Sequence, residues 1–203
     1  MVRTFGVEEE LLVVDARTAR PVARGEEIVA AVGKPASGHE LTTEFKAEQL
    51  EVVGPPQTTL EGQLEAIRTG RAIADAAARH FGARVAALST CPWPVASTRV
   101  GGTRYDRMAT RFGITAAEQL TCGYHVHVEI ASDEEGVAVL DRLRVWLPAI
   151  LALGANSPFW MGADTGYASY RYQVWGRWPT SGPCQEFGTV ENYRRHCDEL
   201  LGS

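Results

Sequence analysis

Three consecutive acids, Glu8, Glu9 and Glu10, interrupt an otherwise apolar, β-branched run from Phe5 to Asp15. Strand alternation sends Glu8 and Glu10 to one face and Phe5, Val7, Glu9, Leu11 and Val13 to the other. Two carboxylates that close repel unless a cation lies between them, and paired hard oxygen donors are what Mg²⁺ or Mn²⁺ takes. A solvated edge strand whose acids discourage aggregation uses the same pattern. A second stretch, Leu120 to Ile130, carries imidazoles. There Leu120, Cys122, Tyr124, Val126, Val128 and Ile130 are expected to face a core, with Thr121, Gly123, His125, His127 and Glu129 on the opposite side. A His-x-His strand sets two nitrogen donors, or one donor and one phosphate contact, side by side, and Gly123 leaves room beside them. Half-buried structural histidines fit that spacing too. Taken with the Glu8 and Glu10 face, the histidines favour a metal site.

Two further regions could contribute. In residues 43–53, strict alternation puts Glu44 and Glu48 on one face and Glu51 on the other, so all three reach one site only across a bend or bulge. An exposed strand with ion pairs is the competing reading. Residues 159–179 are dense in aromatics and arginine, including Arg171 and Arg177. A guanidinium held against a ring stays planar and can grip a carboxylate or phosphate bidentately, although an aromatic packing cluster with snorkelling arginines has the same composition.

These groups need a scaffold. The chain has 203 residues, 45% hydrophobic and 22% charged, enough for one well-cored domain. Its net charge of -5 argues against general affinity for nucleic acid or an anionic membrane. Without a basic-then-apolar leader or a membrane-length apolar run, cytoplasmic residence is expected. The four cysteines form no Cys-x-x-Cys pair and read as reduced thiols. After the first strand a turn at Asp15 to Thr18 leads to a helix over 26–33. Thr58 and Glu61 are expected to cap a helix to Arg79 with Leu60, Leu64, Ile67, Ala74 and Ala78 on its core face. A short buried strand over 83–88, a rigid loop over 89–94 and a helix over 105–112 precede the histidine strand. Beyond it, Ser132 and Glu135 open a long core helix lined by Val137, Leu140, Leu143, Leu147 and Ile150 and kinked at Pro148. An amphipathic helix over 189–201 ends the pattern.

The stretches Gly6 to Glu10, Gln119 to Val128, Ala155 to Trp160, Asp164 to Arg171 and Arg177 to Thr180, in that order, resemble the bacterial glutamate–cysteine ligase type 2 family of carboxylate–amine ligases. The resemblance implies an α+β, glutamine-synthetase-like fold: an antiparallel β-sheet with helices packed on one face, and a concave face holding ATP, Mg²⁺ or Mn²⁺, and an amino-acid carboxylate. It implies amide formation through an acyl phosphate, with a glutamate-like carboxylate and an amine such as cysteine as substrates. Carried over residue by residue, Glu8, Glu10, Glu51 and His125 match metal ligands. His125, with its strand neighbour His127 and with Glu44, lies toward the nucleotide, and Arg171 or Arg177 would clamp the acceptor carboxylate. Thr90-Cys91-Pro92 departs from the Thr-His-Pro of many members. Residues 1–203 would then be a single domain, the N-terminal part of a longer catalytic domain, forming a homo-oligomer or associating with a missing C-terminal portion. Two other classes use the same residues: a non-catalytic nucleotide- and metal-binding or interaction module, and a metal-dependent hydrolase that activates water.

Overall fold

A computed structural model describes residues 2–33, 35 and 37–202. The acidic run lies in β1 (Phe5–Asp15), the long central strand of a five-stranded antiparallel sheet. β3 (Gln49–Val53) runs along one side of β1, with β2 (Glu40–Thr43) outside it. Two strands share the other side end to end: β5 (Tyr124–Val128) beside Phe5 to Glu9, and β4 (Ala83–Ala86) beside Leu12 to Asp15.

Alternation along β1 separates two environments. Val7, Glu9, Leu11 and Val13 are buried. Leu11 and Val13 share a core with Ile28 of α1 (Gly25–Val32) and Ala74 and Ala78 of α2 (Leu60–Arg79). Leu11 is 1% exposed, so Leu11→Ala would cost about 2–5 kcal/mol in lost transfer energy and cavity. On the opposite face Leu12 and Val14 pack against Cys91, Leu120 and Cys122, which closes that end of the sheet. Glu8 and Glu10 occupy the remainder of this second face.

Several expectations need correction. Residues 43–53 are not one strand, because the chain reverses over Glu44 to Glu48 between β2 and β3. The reversal is polar yet buried. Lys46 donates from Nζ to the Ala117 carbonyl at 3.0 Å, and both Glu48 oxygens accept the Thr98 N–H at 2.9 Å. Helix α2 is capped by Thr59 instead of Thr58, its hydroxyl accepting the Gly62 N–H at 3.1 Å. Its buried face is Gln63, Ala66, Gly70, Ala74 and Ala78, while Leu60 and Leu64 are exposed. Small side chains let the helix lie close to the sheet: a Cβ added at Gly70 would stand 2.7 Å from Val52 Cγ1.

The histidine strand is shorter than its apolar pattern. Leu120 and Cys122 are buried, whereas Tyr124, Val126, Val128 and Ile130 are 51%, 59%, 56% and 48% exposed and face no core among the described residues. The long core helix is likewise two helices, α3 (Thr103–Phe112) and α4 (Ile114–Glu118) having come before it. They are α5 (Asp133–Leu143) and α6 (Leu147–Leu153), joined by a 3₁₀ turn at Arg144–Trp146. Pro148 sits in the first turn of α6, where its missing N–H breaks no helical bond. Val137 is buried, but Leu140, Leu143 and Ile150 are exposed. A small hairpin, β6 (Phe159–Trp160) and β7 (Ala163–Asp164), turns at Met161 and Gly162, both with positive φ, before α7 (Tyr170–Trp175) and α8 (Val190–Gly202). No helix among the described residues is long and apolar enough to cross a membrane.

Candidate functional site

The β1–β5 register sets Glu8 directly opposite His125. His125 Nδ1 lies 3.4 Å and His127 Nε2 3.1 Å from the same oxygen, Glu8 Oε2. Both histidines therefore reach one carboxylate, as the alternation of this strand predicts. Burial pushes the Glu8 carboxyl up, but the hydrogen bonds from His125 and His127 outweigh it and hold the group below its ordinary range. One donor atom from each of the three side chains lies within 4.8 Å of the other two.

Two residues along β1, the β1–β3 register sets Glu10 opposite Glu51. The reversal between β2 and β3 brings Glu44 to the same place, so Glu10, Glu44 and Glu51 also offer three oxygens within 4.8 Å of one another. Sequence alternation separated Glu44 from Glu51, and the bend reunites them while burying Glu48 elsewhere. Glu10 accepts the Gly123 N–H at 2.7 Å, and Glu51 accepts the Thr42 hydroxyl at 3.0 Å. Burial pushes Glu10 up to about 7, and the neighbouring charges of Glu44 and Glu51 act in the same direction against the Gly123 N–H. Glu51 is also raised, first by burial and then by Glu8 and Glu44.

Gly123 stands between the two groups. A Cβ there would meet His125 Nε2 at 2.8 Å and Glu10 Oε1 at 3.1 Å, so a larger residue would push both side-chain ends away from this backbone. The middle acid does something else. Glu9, 6% exposed, takes Nε of Arg71 at 2.7 Å and its Nη2 from the α2 side, tying helix to sheet. Sequence reasoning missed Arg71, because nothing in the polar face of α2 distinguishes it from its solvated neighbours.

Arg171 donates from Nε to the Cys122 carbonyl at 3.0 Å, and its guanidinium lies 5.2 Å from the Trp175 ring centroid. This fixes it beside the strand segment that enters Gly123. Arg177 instead pairs with Glu118 at 2.5 Å. Trp178 donates to Gln119 Oε1 at 3.1 Å. Between α7 and the acids lies a cleft of about 330 Å³, reached by Glu10, Glu44 and Gln49, with Phe45, Met108, Trp175 and Trp178 as walls. A second cleft, about 320 Å³, runs beside Glu8 and His127. The cysteines near the acids are packing residues: Cys91 is 3% exposed, and burial pushes the Cys122 thiol up to about 12.

The donor chemistry fits divalent ions. A three-carboxylate group suits Mg²⁺ or Mn²⁺, and a carboxylate with two imidazoles suits a transition ion or an ion shared with phosphate. The Glu10 carboxyl is raised first by burial and then by Glu44 and Glu51, and a bound cation would favour its charged form.

The family model described as glutamate-cysteine ligase family 2 matches residues 4–202. A relative from Paenarthrobacter aurescens (strain TC1), named as a candidate glutamate–cysteine ligase 2-1, is 55% identical over 208 residues, covering 100% of this chain and 54% of its own. A Streptomyces coelicolor relative, named as a candidate glutamate–cysteine ligase 2, is 44% identical over 99% of this chain and 56% of its own. The chain thus spans about half the length of the curated relatives it matches. Among solved structures, a bifunctional glutathione synthetase from Pasteurella multocida superposes with a TM-score of 0.68 at 17% identity, over 99% of this chain and 30% of that one. A glutamate–cysteine ligase from Francisella tularensis, solved with AMP, gives 0.55 at 14% identity over 78% of this chain and 36% of that one. The shared fold is the mixed α+β arrangement of antiparallel sheet and packed helices.

Proposed function

The chain belongs to glutamate–cysteine ligase family 2, and from that premise we propose that it carries the metal and nucleotide side of an ATP-dependent carboxylate–amine ligase acting through an acyl phosphate. The observation that supports this reading is the pair of donor groups, Glu8–His125–His127 and Glu10–Glu44–Glu51, set on one sheet face on either side of Gly123.

The chemistry needs such a face. A carboxylate resists attack by an amine because its oxygens leave poorly, and transfer of the ATP γ-phosphoryl converts one of them into a good leaving group. Bound Mg²⁺ or Mn²⁺ would neutralise the phosphate oxygens as charge moves between them. Glu10, Glu44 and Glu51 would supply hard oxygens for one ion. Glu8 and His125 would supply a mixed pair for a second, with His127 beside them toward the nucleotide. Arg171, held by the Cys122 carbonyl and Trp175, is the better placed arginine to orient a substrate carboxylate, since Arg177 is engaged by Glu118. The substrates of this reading are a glutamate-like amino acid and an amine such as cysteine.

These residues would form the N-terminal part of a longer catalytic domain. The apolar side chains exposed on β5 and α5 support that placement, as does the share of the relatives that the chain spans. We assign to that surface the contact with the remaining half or with a second copy. Calorimetry with ATP and Mg²⁺ tests the site: Glu8→Gln should weaken binding at least tenfold with the fold intact. Binding equal to wild type would refute the reading. ADP release with glutamate and a panel of amines tests the chemistry.

A further inference from the structure

We propose that the cleft beside Glu10 and Glu44 is the acceptor-amine site, and that it takes a primary amine with an apolar, aromatic-sized body in preference to a small thiol-bearing one. The inference rests on the ligase reading for the word acceptor, but its ligand chemistry comes from the walls of the cleft.

Charge gives the first half of the argument. Two carboxylates, Glu10 and Glu44, reach the cleft, and no lysine, arginine or histidine lines it among the described residues. Glu51 stands beside both, so three carboxyl groups gather at this end of the cleft. An ammonium complements them, and a second carboxylate on the ligand would not.

The walls give the second half. Phe45, Met108, Trp175 and Trp178 present apolar surface around about 330 Å³, the lower end of the range for small-ligand sites and larger than a benzene ring needs. The rings are held before any ligand arrives. Trp178 is fixed by Gln119 and packs edge-on against Phe112 at 5.1 Å, Trp175 lies under Arg171, and Phe45 packs on Tyr105 at 5.3 Å. Rigid walls cannot collapse around a short side chain, so a small ligand would leave them wet or in poor contact. The two side-chain amides between them are already engaged. Gln49 Nε2 donates to the Thr121 carbonyl at 2.8 Å, and Gln119 joins the Thr121 hydroxyl to Trp178. The Thr180 and Ser181 hydroxyls also line the cleft, so it is the poor contact with the apolar walls that disfavours a small thiol.

The test is direct binding to the full chain by calorimetry, using 2-phenylethylamine, 2-aminoethanethiol and ethylamine, each without nucleotide and then with Mg·ATP. Burial of the extra ring should make phenylethylamine bind roughly 30-fold tighter than ethylamine. The aminothiol should lie near ethylamine. Trp178→Ala should shrink the preference to within about threefold, Trp178→Phe should keep most of it, and Met108→Ala should reduce it without disturbing the Trp178 hydrogen bond. Equal affinities, an aminothiol that binds tightest, a preference that survives both Trp178→Ala and Met108→Ala, or no binding by any amine under either condition would overturn the proposal. Failure of wild type to bind Mg·ATP would count against the ligase reading alone, because the amine preference is read without nucleotide.

Discussion

Glu10 should make the metal-free protein lose stability as pH rises. Its carboxyl is held at about 7 in the fold against 4.5 as the ordinary value, chiefly by burial. Between those values the folded chain holds a proton that the unfolded chain has released, so raising the pH favours unfolding. The contribution is fully present below about 4.5 and gone above about 7. At 1.36 kcal/mol per pH unit, that gap amounts to about 3 kcal/mol. Carboxylates held low, such as Glu8 by its imidazoles, act in the opposite sense, and the quantity to read is therefore the difference between wild type and Glu10→Gln. Urea unfolding followed by circular dichroism at pH 5, 6, 7 and 8 in EDTA gives it. The two proteins should be nearly equal at pH 5, and the variant should be more stable by up to about 3 kcal/mol at pH 8. Excess Mg²⁺ at pH 8 should then raise wild type by about 2.7 kcal/mol at a hundred times its Kd and raise Glu10→Gln by less. A wild-type minus variant difference that stays flat from pH 5 to 8 would refute the reasoning, since it would mean that Glu10 carries no desolvated charge for a cation to relieve.

The remaining expectations concern its neighbours. His125→Asn should weaken Mg·ATP binding more than His127→Asn, because His125 stands in register with Glu8 and against Gly123; calorimetry showing no loss from either would make both histidines structural. Gly123→Ala should lower Mg·ATP affinity at least tenfold while the far-ultraviolet spectrum is unchanged, since the new Cβ displaces His125 and Glu10 together. Arg71→Met should cost about 2 kcal/mol in urea unfolding, by leaving the buried Glu9 without its partner on the α2 side, yet leave nucleotide affinity alone. A loss of binding equal to that of Glu8→Gln would place Arg71 in the site instead.

What could be read from the sequence, and what could not, follows from which physical rule governed each stretch. Alternation in a strand is geometric and nearly independent of context, so Glu8, Glu10, His125 and His127 fell on one face as their spacing required. Glu44 and Glu51 did not follow it, because the reversal between β2 and β3 contains no glycine or proline to mark it. It is held by buried polar contacts instead, Lys46 on the Ala117 carbonyl and Glu48 on the Thr98 N–H, which come from residues some 70 and 50 positions away. Hydrophobicity failed differently. It placed Ala74 and Ala78 correctly on the buried face of α2, but added Leu60 and Leu64 where close approach to the sheet demanded Ala66 and Gly70. It also marked Val126, Val128, Leu140 and Leu143 as core, and they are exposed. Periodicity records that a face is covered but is silent on what covers it. The exposed face of β5 lies one strand from the acids, on the strand that carries His125 and His127. What packs there would cover the back of the strand whose other face carries His125 and His127, so an added layer would act on the metal-binding face by holding β5 in register with β1, and not by touching the imidazoles.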